Sequence, residues 1–268
     1  MDSFTDRAFA GNPAAVLLLD EEPPDEWMAA VARETNLSDT GFVIRETLPD
    51  ADFRLRWFTP RVEVDLCGHA TRASAHCLFE DGVEGPIRFA TRSGVLTVSQ
   101  VPDGSLAMDF PASPLTQIEA RSAAAEALGA PVEWTGSTDN DFFLLALLAD
   151  ERSVRELSPD LAAVGELDAS ALIVTAVADP AQEYDFVSRL FAPSVGIPED
   201  PVTGSSHTVL APFWAGRLGR TALLGLQASP RSGLVRVEAN GDRVTVMGRA
   251  ITVFDGALNG AAEPAVAG

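Results

Sequence analysis

The sequence predicts a two-lobed fold of mixed helices and strands, on three observations. Strand-like and helix-like segments alternate through the first half, a proline-punctuated run at Pro111-Ala112-Ser113-Pro114 breaks the composition, and two glycine-led helix starts echo one another across that break. At 268 residues the chain is long for one compact core and comfortable for two. The expected lobes are 1–112 and 113–268, with the last strand available to return to the first lobe.

Taken in order, Ala14 to Leu19 is a short apolar run that reads as a strand. Asp25 to Glu34 has helical spacing in Trp27, Met28, Val31 and Ala32, with Asn36 just beyond as a C-terminal stop. Phe42 to Ile44 and Phe53 to Phe58 read as strands, the second alternating Phe53, Leu55 and Trp57 against Arg54 and Arg56. Gly68 to Phe79 is an alanine-rich helix closed by a turn at Asp81-Gly82, and Arg88–Ala90, Val95–Val98 and Leu106–Phe110 follow as meander strands. In the second half, Glu119–Leu128 is expected as a helix, and Phe142–Leu148, Ala171–Val177 and Asp185–Phe191 as strands. A second glycine-led helix is expected from Gly204 to about Leu218, strands from Leu234 to Glu238 and from Arg243 to Val253, and a loose Gly/Ala-rich tail after Asp255.

Composition excludes several function classes. The formal net charge is −20, and all 19 basic residues are Arg. An acidic chain without a basic block is repelled by phosphate backbones, so no nucleic-acid partner is expected. Without lysine, a Schiff base to pyridoxal phosphate or to a carbonyl substrate cannot form. The two cysteines, Cys67 and Cys77, and three histidines, His69, His76 and His207, show no zinc-ligand spacing, and neither dinucleotide nor P-loop glycine patterns occur. No metal and no organic cofactor is therefore expected. No apolar run is long enough to cross a membrane and the first residues lack a secretory pattern, so a cytoplasmic protein without a membrane partner is expected.

The chemistry concentrates at the two echoing segments. Asp65-Leu66-Cys67-Gly68-His69 and Asp200-Pro201-Val202-Thr203-Gly204-Ser205 each place a glycine at a helix start. There the unpaired N–H groups and the helix dipole favour an anion, and a glycine lets it approach the backbone. Read singly, each is a capped helix start; read as a pair, the two starts are expected to face one another and hold a carboxylate. Asp39, in the polar stretch Asn36-Leu37-Ser38-Asp39-Thr40, reads either as a turn residue or as a general base held in a partly dry site. Cys67 at a helix start suggests a racemase thiolate, but Thr203 occupies the matching place in the second half, so no two-thiol mechanism is available and Cys67 reads as a small buried residue. His76 and His207 read as structural.

Several segments together resemble the PhzF-like, phenazine biosynthesis-like family: Asp2-Ser3-Phe4-Thr5, Gly11-Asn12-Pro13-Ala14-Ala15-Val16, Asn36–Thr40, Phe58-Thr59-Pro60, Glu63–Thr71, Glu199–Ser205 and Val246-Met247-Gly248-Arg249-Ala250. The resemblance implies the α+β diaminopimelate-epimerase fold: two pseudo-symmetric lobes, each a curved, mostly antiparallel sheet around a central helix, commonly in a homodimer. It also implies an isomerase that moves a proton along an allylic system of a small carboxylate substrate, as in dihydro-hydroxyanthranilate isomerisation, with a glutamate as acid/base. Carried over by motif, catalytic roles fall on Asp39, His69 and Asp200, and substrate-binding roles on Gly68, Gly204 and Ser205. Asp39 stands where relatives carry glutamate, one methylene shorter; a displacement of about 1 Å can cost about 100-fold in rate, so an altered substrate is expected. Relatives usually begin one strand before Asp2, so a first strand is expected to be missing. The competing readings are a catalytically weak carboxylate-binding homologue and a single-thiol epimerase using Cys67.

Overall fold

The computed structural model describes residues 1–46, 48–259 and 262. In chain order the strands and helices are β1 (Asp2–Ser3), β2 (Asn12–Leu19), α1 (Asp25–Thr35), β3 (Asp39–Arg45), β4 (Phe53–Phe58), β5 (Glu63–Val64), α2 (Gly68–Glu80), β6 (Ile87–Thr91), β7 (Gly94–Gln100) and β8 (Leu106–Pro111). They continue as β9 (Leu115–Gln117), α3 (Arg121–Leu128), β10 (Trp134–Thr138), β11 (Phe143–Leu147), α4 (Glu151–Arg155), α5 (Leu161–Gly165), β12 (Ala171–Val177) and β13 (Phe186–Phe191). The last are α6 (His207–Leu218), β14 (Ala222–Gln227), β15 (Gly233–Asn240), β16 (Arg243–Gly248) and β17 (Ala250–Ile251). The chain divides into two compact units, Met1–Met108 with the segment from Arg249 onward, and Asp109–Gly248.

In the first unit the strands run in the order β17, β1, β2, β3, β4, β6, β7 and β8, with β5 also on β4. Only β2/β3 and β4/β6 are parallel, and these are the two places where a helix, α1 and then α2, provides the crossover. Helix α2 is the central one: it packs on β1, β2, β3, β7 and β17, and its residues 69–75 are all buried. Its run of Ala, Thr and Ser is what allows strands to come so near on several sides. At Gly41 of β3, an added Cβ would sit 2.8 Å from Ser74 Oγ of α2. Helix α1 buries Met28, Val31 and Ala32 against Phe42 and Phe58, whose rings meet edge to face at 5.5 Å. It ends at Asn36 in the left-handed conformation, as its sequence implies.

The second unit repeats this pairing scheme. Strand order is β9, β10, β11, β12, β13, β14, β15, β16 and β8, again with two parallel pairs, β11/β12 crossed by α4 and α5 and β13/β14 crossed by α6. Even the register corresponds: Ala14 pairs Asp39 and Thr40 pairs Phe58 in the first unit, while Phe143 pairs Ala171 and Leu172 pairs Phe191 in the second. Helix α6 is buried nearly all round and packs on β14, β15 and β16. Pro212 inside it cannot donate to the Thr208 carbonyl, and the Ser113 N–H takes that acceptor at 3.1 Å.

The structure corrects several sequence-based expectations. Asp39 is not in a loop but is the first residue of β3, because its parallel ladder with β2 begins there. Helix α6 starts at His207 rather than Gly204: residues 204–206 form an entry turn with i→i+3 bonds, His207 N to Gly204 O at 3.1 Å and Thr208 N to Ser205 O at 3.0 Å. Helix α3 starts at Arg121 rather than Glu119. The expected strand Arg243–Val253 is two strands, since the Arg249 carbonyl leaves the ladder to accept from Phe4 N at 2.7 Å. Strands β10 and β14 had no expectation, being interrupted by glycine and small polar residues. The end of the Gly/Ala-rich tail, from residue 263, lies outside the described residues.

One turn couples this framework to the start of α2. Gly11 has φ +65°, and a Cβ there would lie 2.1 Å from the Ser3 carbonyl oxygen. Ser3, fully buried, donates its hydroxyl to the His69 carbonyl at 2.8 Å. Gly11→Ala is expected to cost about 2–4 kcal/mol, from left-handed strain plus displacement of Ser3. A denaturation midpoint within error of the native protein would contradict this account of the turn.

Candidate active site

Asp39 and His69 are brought together in the first unit. Asp39 ends up beside α2 because β3 packs directly on that helix, and His69 is the second residue of α2. Both are buried, Asp39 9% and His69 7% exposed, with His69 Nε2 3.6 Å from Asp39 Oδ2. The distance alone would make an ion pair. Burial, however, pushes the imidazole pKa from its ordinary 6.5 to about 4, so at neutral pH a neutral ring faces the carboxylate. The other ring nitrogen, Nδ1, lies 3.5 Å from Cys67 Sγ.

The start of α2 offers anion-binding groups. Cys67, the N-cap residue, makes no side-chain capping bond, so the first-turn N–H groups beside Gly68 are not taken up by it. Ligand-type atoms of Asp39, Cys67 and His69 lie within 4.8 Å of one another. Yet the imidazole gives Nδ1 to the thiol and Nε2 to the carboxylate, opposite ring edges.

In the second unit, Asp200 is likewise buried and accepts a hydrogen bond from the Thr203 hydroxyl. Gln227, fully buried at the end of β14, clamps this turn: its Oε1 accepts from Thr203 N at 2.8 Å, and its Nε2 donates to Asp200 O at 2.9 Å and Thr203 Oγ1 at 3.2 Å. The segment before it is held by Arg189, which binds Glu199 twice, at 2.7 and 2.9 Å, and donates to the Leu157 carbonyl at 2.6 Å. Gly204 and Ser205 form the entry turn to α6. His207 Nδ1 approaches the Thr203 carbonyl at 2.8 Å, which agrees with its structural reading. Sequence reasoning missed Ser3, Arg189 and Gln227; only Ser3 carried a signal, its place in the Asp2–Thr5 motif.

Comparison with known proteins identifies the family. The family model described as phenazine biosynthesis-like protein matches residues 1–256. The chain belongs to the PhzF-like family. An uncharacterized isomerase of Pseudomonas aeruginosa is 46% identical to it over 261 residues, covering 97% of each chain. The crystal structure of a PhzF-family phenazine biosynthesis protein from Enterococcus faecalis superposes with a TM-score of 0.86 at 39% identity, over 92% of this chain and 93% of that one. A probable proline racemase from Agrobacterium radiobacter matches with a TM-score of 0.61 at 13% identity, over 93% of this chain and 91% of that one, a likeness of fold alone. The fold is thus the α+β epimerase type that the sequence resemblance implied. Within this PhzF-like frame the register equates Asp39 with Ala171, so only the first unit carries an acid at that point.

Two outcomes follow from this geometry. His69 stays neutral when folded, whereas the unfolded chain takes up a proton near pH 6.5. Its contribution to stability is therefore full above about pH 6.5 and is lost as pH falls toward about 4. Denaturation across that window should show a shallower acid-side loss in His69→Gln than in the native protein; equal slopes would contradict it. Arg189→Met strands the Glu199 carboxylate and the Leu157 carbonyl, and should lower stability by about 3 kcal/mol. An unchanged melting transition would show that the Arg189–Glu199 pair does not hold the Asp200 segment.

Proposed function

We propose that this PhzF-like chain is a cofactor-independent isomerase that moves a proton within a small carboxylate substrate, an allylic or 1,3-shift. Asp39 is its acid/base. The observation that carries this reading is the buried Asp39 carboxylate 3.6 Å from a neutral imidazole, beside a helix start whose N-cap side chain makes no capping bond. Relatives that bear the name isomerase, the P. aeruginosa protein among them, support the reaction class.

In this mechanism the substrate's carboxylate lies against the N–H groups beside Gly68. The Asp39 carboxylate removes a proton from the activated carbon, and the electron pair delocalises through the allylic system toward that anchored carboxylate. The protonated Asp39 then returns the proton at the far end, so no net charge or atom is gained or lost. His69, neutral, offers a hydrogen bond without competing for the proton. The absence of a matching acid at Ala171 favours one group performing both transfers. By family motif, Asp200 orients or assists, and the backbone around Gly204 and Ser205 contributes substrate contacts. A cytoplasmic homodimer belongs to the same reading; no helix of the described residues is long and apolar enough to cross a membrane.

Incubation with candidate small unsaturated carboxylates in deuterated water tests it. The native protein should introduce deuterium, and Asp39→Asn should lower the rate by about 10²–10⁴-fold. Binding without exchange would instead identify a carboxylate-binding homologue. Asp39→Glu that raises turnover on a dihydroanthranilate-like acid would explain the shortened side chain as drift from a parent activity.

A further inference from the structure

The Cys67 thiol lies at hydrogen-bonding distance from the ring edge of His69 that faces away from Asp39, and the mechanism above gives it no task. A neutral imidazole carries its proton on one nitrogen only, and the hydrogen bond at the other decides which. A thiol is a weak donor and a weak acceptor, whereas a carboxylate can only accept. Of the two neutral tautomers, the one with the proton on Nδ1 would turn the Nε2 lone pair toward the Asp39 carboxylate at 3.6 Å in a buried site. The one with the proton on Nε2 lets Cys67 S–H donate into Nδ1 at 3.5 Å and directs Nε2–H toward Asp39.

We propose that Cys67 is a positioning residue that holds His69 in the Nε2–H tautomer, so that the hydrogen bond His69 offers is aimed at the Asp39 carboxylate. This rests on the acid/base reading of Asp39. Cys67 then acts through His69 and never touches the reacting carbon. The backbone is arranged for it: the hydroxyl of Thr71 donates to the Cys67 carbonyl at 2.6 Å, and Ser3 holds the His69 carbonyl at 2.8 Å, so the two residues are fixed on either side of Gly68 at the helix start. In the echoing sequence segment of the second unit Thr203 precedes the glycine as Cys67 does, but its hydroxyl is committed to Asp200, and Ser205 follows the glycine where the first segment has His69. The thiol–imidazole pairing thus occurs only in the unit that carries the acid, as expected if it serves that acid.

Nitrogen-15 NMR of histidine-labelled protein at neutral pH reads the tautomer directly, with the His69 signal assigned by its loss in His69→Gln. The native protein should show a protonated Nε2 and an unprotonated Nδ1. Cys67→Ala should give a mixture of tautomers and a fall in kcat for deuterium exchange of about tenfold, with KM little changed. Cys67→Ser, whose hydroxyl can donate to Nδ1, should restore both. A native protein with the proton on Nδ1, or a Cys67→Ala protein with the native tautomer, would overturn the proposal. Loss of exchange in Cys67→Ser with the tautomer intact would also overturn it, because Cys67 would then be the acid/base itself. If the native protein catalyses no exchange, the isomerase reading fails while the tautomer result still decides the role of Cys67.

Discussion

The site depends on a single packing constraint: a histidine at the start of α2 is buried so completely that its ring stays neutral, and a strand carrying a carboxylate is brought against it. That closeness follows from the small side chains of α2 at residues 70, 71 and 73–75, which let β1, β2, β3 and β7 come near the same helix. A larger residue on that face would push β3 outward and take Asp39 with it. The closeness of Asp39 and His69 is therefore an outcome of core packing.

The two units show how one pairing scheme can hold different chemistry. Both use two parallel pairs joined by helical crossovers, with matching registers at β3/β4 and β12/β13. Yet the register puts Asp39 of the first where the second has Ala171, and the glycine-led sequence of the first carries Cys67 and His69 where the echoing sequence has Thr203 and Ser205. A single acid in this scheme suits removal and return of a proton by the same group, as the proposed allylic shift requires.

Much of this was legible in the sequence. The helix α1 with its Asn36 stop, the alternation in β4 and the alanine-rich α2 follow from period and punctuation, and the motif run carried the family. What the sequence left hidden was set by tertiary geometry. Asp39 lies in a polar stretch, and only the ladder with β2 makes it a strand residue. The entry turn before α6 has glycine and serines that suit a helix start as well as a turn. Gln227 and Arg189 act through buried polar bonds to segments 24 and 10 residues away, a relation that no local pattern encodes.

The most direct test is a crystal structure with a small unsaturated carboxylate bound. The account requires the ligand's carboxylate to accept hydrogen bonds from the N–H groups at the start of α2, with its acidic carbon next to an Asp39 oxygen. A ligand seated elsewhere, with Asp39 touching only protein atoms, would contradict it.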